Sequence, residues 1–342
     1  VIFNSRRLER VPATNPASRF RQNGNMTLAD KPNFPMSTPV VSVIIPCYNT
    51  GRYLREAIDS ALSQTYPAVE VIVINDGSKD DTDEIARSYG DRIVYVNQQN
   101  RGLSGARNAG IRVMKGEFVT LCDADDILLP DCIEKRLAPL LADPKVGLVA
   151  GWYREIDADG NRINRVPEKR QLRGIEPFYD VVHRNYGPPV GWTIRAEALE
   201  RCGTFNPLIK LAEDWDLFLR ITTKYSFAYV SDVTVLYRQL PESLSKDYIG
   251  MFDWVRKILR ENEIYADSKI RYRWHGLCNQ FEVGRRYIYA AATQGPPSYR
   301  IKRLVSYCVR RPQFLWIGAL SFLSLLTGKR ASSGRNETEM AS

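Results

Sequence analysis

Histidine is almost missing from this 342-residue chain: His183 and His275 are the only two. They lie far apart in sequence, so a histidine-rich zinc site or a Ser/His/Asp triad has little to be built from. A catalytic base in this chain is therefore expected to be a carboxylate. Six cysteines (47, 122, 132, 202, 278, 308) form no Cys-x-x-Cys pair and no regular framework. They read as inert, mostly buried thiols of a reducing compartment. No apolar stretch follows the first arginines, so no signal peptide is expected. The most apolar segment, FLWIGALSFLSLL (314–326), is too short to span a bilayer.

What is present is a globular composition, 44% hydrophobic and 25% charged, with a net charge of +9 that is unevenly placed. Residues 1–40 carry six Lys/Arg against two Asp/Glu, and residues 256–342 carry sixteen against six. The middle, 41–255, has 26 against 31 and is net −5. A nucleic-acid protein more often puts its basic stripe on the folded body, so no nucleic-acid partner is expected. Basic ends around an acidic centre suit an anionic membrane surface.

The chain divides by pattern. Residues 1–39 are rich in Arg, Asn, Pro and Ser without a sustained period and read as a disordered basic segment. From 41 onward, all-apolar strands alternate with helical spacing. VSVIIP (41–46), VEVIVIND (69–76), RIVYVNQ (92–98) and 117–122 are predicted strands; Arg52–Gln64, Asp81–Tyr89 and 103–114 are predicted helices. Strands apolar on both faces and separated by helices indicate an α/β fold with a parallel sheet. A catalytic domain over 40–245 is expected, then a helical extension over 246–330 and a loose tail over 331–342. The segment 314–326, flanked by Arg310, Arg311, Lys329 and Arg330, reads either as a helix buried on the flank or as one lying in the membrane interface.

In parallel sheets ligands bind outside the carboxyl ends of the strands. Each unusual polar cluster falls at such an end: CYN after the first strand, NDGS after the second, DADD after the fourth. Asp123, Asp125 and Asp126 are like charges crowded together, which disfavours their joint ionisation unless something positive sits between them. Turn chemistry and a hard-cation site explain that run equally well when it is taken alone. Asp76 at its strand tip is placed to accept from a base N–H or a ribose hydroxyl, while Ser78 and Asp80 or Asp81 suit the cap of the following helix. RGLSGARNAG (101–110) has neither the GxGxxG nor the GxxxxGK[ST] spacing, and its glycines read as close backbone packing. Arg107 and Asn108 within it are expected to face the strand ends and meet a phosphate or a sugar hydroxyl. In AEDWDLFLRI (212–221), Trp215, Phe218 and Leu219 form an apolar face; helix-dipole placement alone would account for Glu213 and Asp214 in the first turn.

Taken in order and spacing, VSVIIPCYN, VINDGSKDDT, RGLSGARNAG, LCDADD and GTFNPLIKLAEDWDLFLR resemble glycosyltransferase family 2 over 41–240. The resemblance implies the A-type glycosyltransferase fold, a mixed, mainly parallel sheet flanked by helices. It implies a nucleotide-diphospho-sugar donor, a glycan or lipid-linked acceptor, Mg²⁺ or Mn²⁺, and inversion by a single displacement. Carried over by residue, Pro46, Tyr48 and Asn49 line the base pocket and Asp76 reads the base. Asp123 contacts the ribose beside Ala124, Asp125 holds the metal, and Asp214 is the general base. Glu213 is expected to bind acceptor or orient its helix, Arg238 to reach the diphosphate, and Asp126 to cap the helix starting near 130.

Two departures stand out. Leu240 occupies the place of a histidine that helps hold the metal in relatives, and the QxxRW signature of processive synthases is missing, which favours transfer of one sugar. The competing readings are a non-catalytic sugar-nucleotide binder and a haloacid-dehalogenase-type phosphatase. The latter's DxDx[TV] motif belongs after a first strand, whereas DADD follows the fourth. An enzyme of the leading class would sit in the cytoplasm, on the inner face of the cell membrane.

Overall fold

The computed structural model describes residues 38–163, 176–183, 185–240, 243, 247–273, 275, 276, 279 and 280. The basic segment before 38, the apolar segment 314–326 and the tail from 331 lie outside them. Eight strands form one sheet: β1 (Val41–Cys47), β2 (Val69–Asn75), β3 (Val94–Asn97), β4 (Phe118–Leu121), β5 (Ile127–Leu128), β6 (Val146–Ile156), β7 (Thr193–Arg195) and β8 (Ser226–Arg238). The helices are α1 (Gly51–Leu62), α2 (Thr82–Arg87), α3 (Gly102–Val113), α4 (Cys132–Ala142), α5 (Pro177–His183), α6 (Ala196–Cys202), α7 (Glu213–Thr222) and α8 (Tyr248–Asn262).

Spatial order across the sheet is β3-β2-β1-β4-β7-β6-β8-β5. The first half is parallel and built outward from β1, which pairs with β2 on one side and β4 on the other. Such an order leaves a crevice between the carboxyl ends of β1 and β4, where the chain switches direction of winding. β7 enters antiparallel to both β4 and β6. β6 therefore runs the same way as β4, and β8 runs parallel to β6. The ends of β1, β2, β4, β6 and β8 all open on one edge.

Alternation along the buried strands produces two cores. Ile44, Ile72, Ile74, Val119 and Leu121 face one side of the sheet, where they meet Ala106 and Ala109 of α3, Trp215 and Phe218 of α7, and Ile258 of α8. Val41, Val43, Ile45, Val71 and Val73 face the other, against Leu54, Ala57, Ile58 and Ala61 of α1 and Ile133 and Leu137 of α4. Each such side chain withdrawn from water contributes about 1.5–3 kcal/mol of transfer free energy. The helix after residue 246 is thus packed onto the same core as the sheet, with Asn262 Nδ2 donating to Asp216 Oδ1 of α7 at 3.1 Å. Among the described residues no helix is long and apolar enough to cross a membrane.

Cys47, Cys122 and Cys132 are buried as expected, and burial, with Asp80 and Asp76 nearby, pushes the Cys47 thiol up to about 12. The two histidines, distant in sequence, meet in space: His183 Nδ1 lies 3.0 Å from His275 Nδ1.

Gly110 shows why α3 lies so close to β1. A Cβ there would stand 2.5 Å from Ile44 Cγ2, and Ile44 has no exposed surface into which to retreat. Gly110→Ala is expected to cost about 1–3 kcal/mol through overpacking, read as a lower urea midpoint at unchanged slope. Ile44→Val in the same chain should recover part of the loss. An unchanged midpoint in the single variant would show that α3 slides freely on the sheet.

Candidate active site

Three strand ends are locked to one another by their own loop residues. Asn49 turns the chain after β1 in a left-handed conformation (φ 54°). Its N–H donates to Ser78 Oγ at 2.9 Å, and its Oδ1 accepts from the Lys79 N–H at 2.8 Å. Ser78 therefore does not cap the following helix as expected, because its hydroxyl is taken by Asn49. Asp80 does serve helix starts, accepting from the Gly51 N–H of α1 (2.9 Å) and from Thr82 Oγ1 of α2 (2.6 Å). Asp76, 3% exposed, accepts from Gln98 Nε2 (2.7 Å) and the Arg101 N–H (2.9 Å), both on Oδ1. Pro46 is buried in β1, whereas Tyr48, just beyond it, is 48% exposed.

After β4 the chain turns tightly, with the Asp126 N–H donating to the Asp123 carbonyl at 3.0 Å and Ala124 buried between them. Asp126 does not cap a helix: its Oδ1 accepts the Arg238 N–H at the end of β8 (2.7 Å), which fixes this turn to the far half of the sheet. Its Oδ2 is buried with no hydrogen-bond partner among the described residues. Burial, with Asp125 and Asp123 alongside, pushes the Asp126 carboxyl well above the usual range. Asp125 is pushed up to about 6, first by burial and then by the charge of Asp123.

Arg238 is a correction of the same kind. It is 2% exposed, and its guanidinium donates to the carbonyls of Asp125 (2.7 Å), Asp157 (3.3 Å) and Ala158 (3.0 Å) and to Glu56 Oε2 (2.6 Å), with the Tyr53 ring 4.6 Å away. All three guanidinium nitrogens are committed, so it holds the Asp125 backbone rather than reaching for a diphosphate.

Arg107, in α3, is 1% exposed. It donates to Asp123 Oδ1 at 2.9 Å and to Glu213 Oε1 at 2.7 Å, so the strand-end turn and the first residue of α7 share one buried guanidinium. Both terminal nitrogens are bonded and the side chain is enclosed, which leaves no face for a phosphate. Asn108 is spent as well: its Nδ2 donates to the Phe205 carbonyl (2.8 Å) and its Oδ1 accepts the Phe205 N–H (3.0 Å). In this structure both side chains are bonded within the protein rather than open to the phosphate or sugar contact that the sequence suggested. The loop they hold leads to Ala212, whose φ of 62° is a left-handed strain of about 1–3 kcal/mol for a non-glycine residue.

Asp214, 8% exposed, accepts the Trp215 N–H at 2.7 Å. Burial, and next the charge of Glu213, push its carboxyl up to about 7, against the attraction of Arg107. An acid poised near neutrality at one edge of a carboxylate-rich crevice can accept a proton without being fully committed to its charge.

The donor set for a cation consists of hard oxygens only. Among the described residues no group of three or more His, Cys, Asp or Glu side chains is gathered to cage an ion, and Leu240 cannot replace a ligand. The raised Asp125 carboxyl beside Asp123 is the observation that fits a cation, since a positive charge there relieves both burial and repulsion. One or two carboxylates with a diphosphate completing the shell is the usual mode of Mg²⁺.

Residues 42–203 match the family described as Glycosyl transferase family 2. A glycosyltransferase of Rickettsia typhi is 38% identical over 201 residues, covering 55% of this chain and 61% of that one. The Staphylococcus aureus protein TarS, solved with UDP-GlcNAc, superposes with a TM-score of 0.58 at 19% identity, over 78% of this chain and 80% of that one. The Pyrobaculum calidifontis mannosyltransferase PcManGT, solved with GDP-Man and Mn²⁺, gives a TM-score of 0.52 at 20% identity, over 92% and 93%. The expected A-type glycosyltransferase fold is the fold these structures share.

The raised Asp214 carboxyl ties stability to pH. The folded state keeps a proton that the unfolded chain releases near pH 4, so this group's contribution is complete below pH 4 and is lost as pH rises toward 7. Asp125 and Asp126 act in the same direction and remain in an Asp214→Asn variant. In EDTA that variant should lose part of the parent's decline in urea stability between pH 5 and 8. Identical pH slopes would show that Asp214 titrates as an ordinary aspartate.

Proposed function

We propose that this chain, whose residues 42–203 match the family described as Glycosyl transferase family 2, moves a single sugar from a nucleotide-diphospho-sugar to an acceptor hydroxyl with inversion and with Mg²⁺ or Mn²⁺. The observation that carries this reading is Asp214, a carboxyl raised to about 7 whose helix is joined through Arg107 to the strand-end Asp123. Asp214, Glu213 and Arg238 lie beyond the matched segment, and the match spans 61% of the Rickettsia relative, so the activity of the whole protein is inferred from the site.

In this reading Tyr48 lies against the nucleotide base and Asn49 shapes the pocket floor with Pro46, while Asp76 and Asp123 accept from the base and the ribose. Asp125 would hold the metal, which when bound offsets the charge gathering on the departing diphosphate. The acceptor hydroxyl oxygen attacks the anomeric carbon, the bond from that carbon to the diphosphate oxygen breaks with its electron pair, and Asp214 takes the hydroxyl proton. No covalent intermediate is needed. Buried carboxylates and fixed N–H groups require little reorganisation as charge develops, which is where such sites gain most of their rate.

The donor classes in the TarS and PcManGT complexes, a UDP-sugar and a GDP-sugar, define the first screen. The basic ends of the chain support an acceptor presented at an anionic membrane surface, a glycan or a lipid-linked precursor, with the enzyme on the cytoplasmic side.

Release of nucleoside diphosphate from UDP- and GDP-sugars with Mn²⁺ tests the reaction. Its rate should rise with pH and reach half its plateau near 7, because only ionised Asp214 accepts a proton. Asp214→Asn should lower it by about a hundredfold or more without changing UDP affinity. A variant of near-normal turnover would move the base elsewhere, and a parent that binds UDP but turns over no donor would be a sugar-nucleotide binder.

Metal binding is expected to be shared with the ligand. By calorimetry Mn²⁺ alone should bind weakly, UDP should strengthen it, and Asp125→Ala should abolish that synergy while the fold is retained. Tight Mn²⁺ binding without nucleotide, or full synergy in the variant, would contradict the assignment of Asp125.

A further inference from the structure

We infer that Arg107 and Asn108 are a pair of positioning residues that fasten the base-bearing start of α7 to the donor side of the site. The inference rests on Asp214 being the proton acceptor. It assigns these two neighbours on α3 a task in acceptor activation and none in direct contact with donor.

The geometry is a two-point attachment. Arg107 spans from Asp123 Oδ1 (2.9 Å) to Glu213 Oε1 (2.7 Å). Its guanidinium lies 5.2 Å from the Phe205 ring centroid. One residue on, Asn108 brackets the same Phe205 through both of its backbone groups. The chain from Phe205 to Glu213 is thus tied at both ends to one turn of α3. That turn is itself immobilised on the sheet by Gly110 against Ile44.

The start of α7 needs such a hold. Its N-cap residue, Ala212, sits at φ 62° with no side-chain cap. Among the described residues Asp214 bonds to the next N–H in its own helix, and the three acids of the first turn, Glu213, Asp214 and Asp216, repel one another. Asp216 is settled separately by Arg220 and Asn262. Arg220 also donates to the carbonyls of Cys202 (2.6 Å) and Thr204 (2.8 Å), holding the upstream end of the same loop. Among the described residues the one ion pair of Glu213 is with Arg107, so this contact fixes where Asp214 stands relative to the donor carboxylates. Arginine suits the task because its planar fork bonds two separate carboxylates at once, which an ammonium on a flexible stem does not do with fixed geometry.

Two arms test this on the whole 342-residue chain. In hydrogen exchange followed by mass spectrometry, Asn108→Ala should speed exchange across 205–216 by about tenfold, the size expected for two lost hydrogen bonds, with β1, β2 and β4 unchanged. In kinetics, donor turnover should fall while the Kd for UDP with Mn²⁺ stays within about twofold of the parent. Arg107→Lys should retain more turnover than Arg107→Gln. Should Asn108→Ala not fold, Asn108→Asp keeps the acceptor for the Phe205 N–H and permits the same comparison.

Unchanged exchange over 205–216 would overturn the inference. So would a UDP affinity weakened in proportion to the lost turnover, which would make Asn108 a donor contact. A lowered melting temperature with unaltered turnover of the folded variant would reduce the pair to ordinary packing. The exchange arm needs no activity, so it judges the fastening even if the chain turned over no nucleotide sugar.

Discussion

A buried arginine shared by two carboxylates holds this molecule's two halves in register. Arg107 comes from the parallel half, Glu213 from the helical layer beyond it, and Asp123 from the crevice between them. Buried charge is costly unless paired with good geometry. Two acids around one guanidinium meet that requirement while leaving the cluster net negative. That excess lies beside Asp125, Asp126 and Asp214, carboxyls that burial already holds above their usual range. Burial first, and then the neighbouring charges of Asp123 and Glu213, raise the carboxyls of Asp125 and Asp214.

Arg238 plays a parallel part at the other end of the strand-end turn. By bonding the Asp125 carbonyl and donating its own N–H to Asp126, it sets the turn against β8 and the 157–158 loop. Asp123 and Asp125 are consequently supported from opposite sides, one through its side chain and the other through its backbone. Such support limits how far the turn that bears these carboxylates can shift, the kind of preorganisation that lowers the cost of meeting a ligand.

The sequence made the frame legible because the frame is periodic. All-apolar strands at 41, 69 and 117 and helical spacing between them specified β1, β2, β4, α1 and α3 closely. The clusters at the strand ends were visible for the same reason. What periodicity cannot carry is the partner of a given polar side chain. Asn108 and Phe205 are 97 positions apart, and Arg238 and Asp126 are 112 apart. Arg107, Asn108 and Arg238 therefore read as polar groups awaiting a ligand, whereas each is bonded to distant backbone or carboxylate, Arg107 through its two terminal nitrogens. Ser78 and Asp126 failed for a related reason: both were assigned to the nearest helix start, and both are bonded across the sheet edge instead.

The direction of β6 and β7 has a consequence for how such a protein can change. β6 ends, and β7 begins, on the same edge as the carboxylates. The span that joins them, 157–192, starts and ends on that edge. The returning part of this span is not free to vary: Val181, Val182, Tyr186 and Trp192 are buried in one core and Val190 in the other, so a change there repacks both. A swap of 157–192 between relatives would therefore carry part of both cores with it, and whatever variation this edge bears is inherited together with a piece of the scaffold.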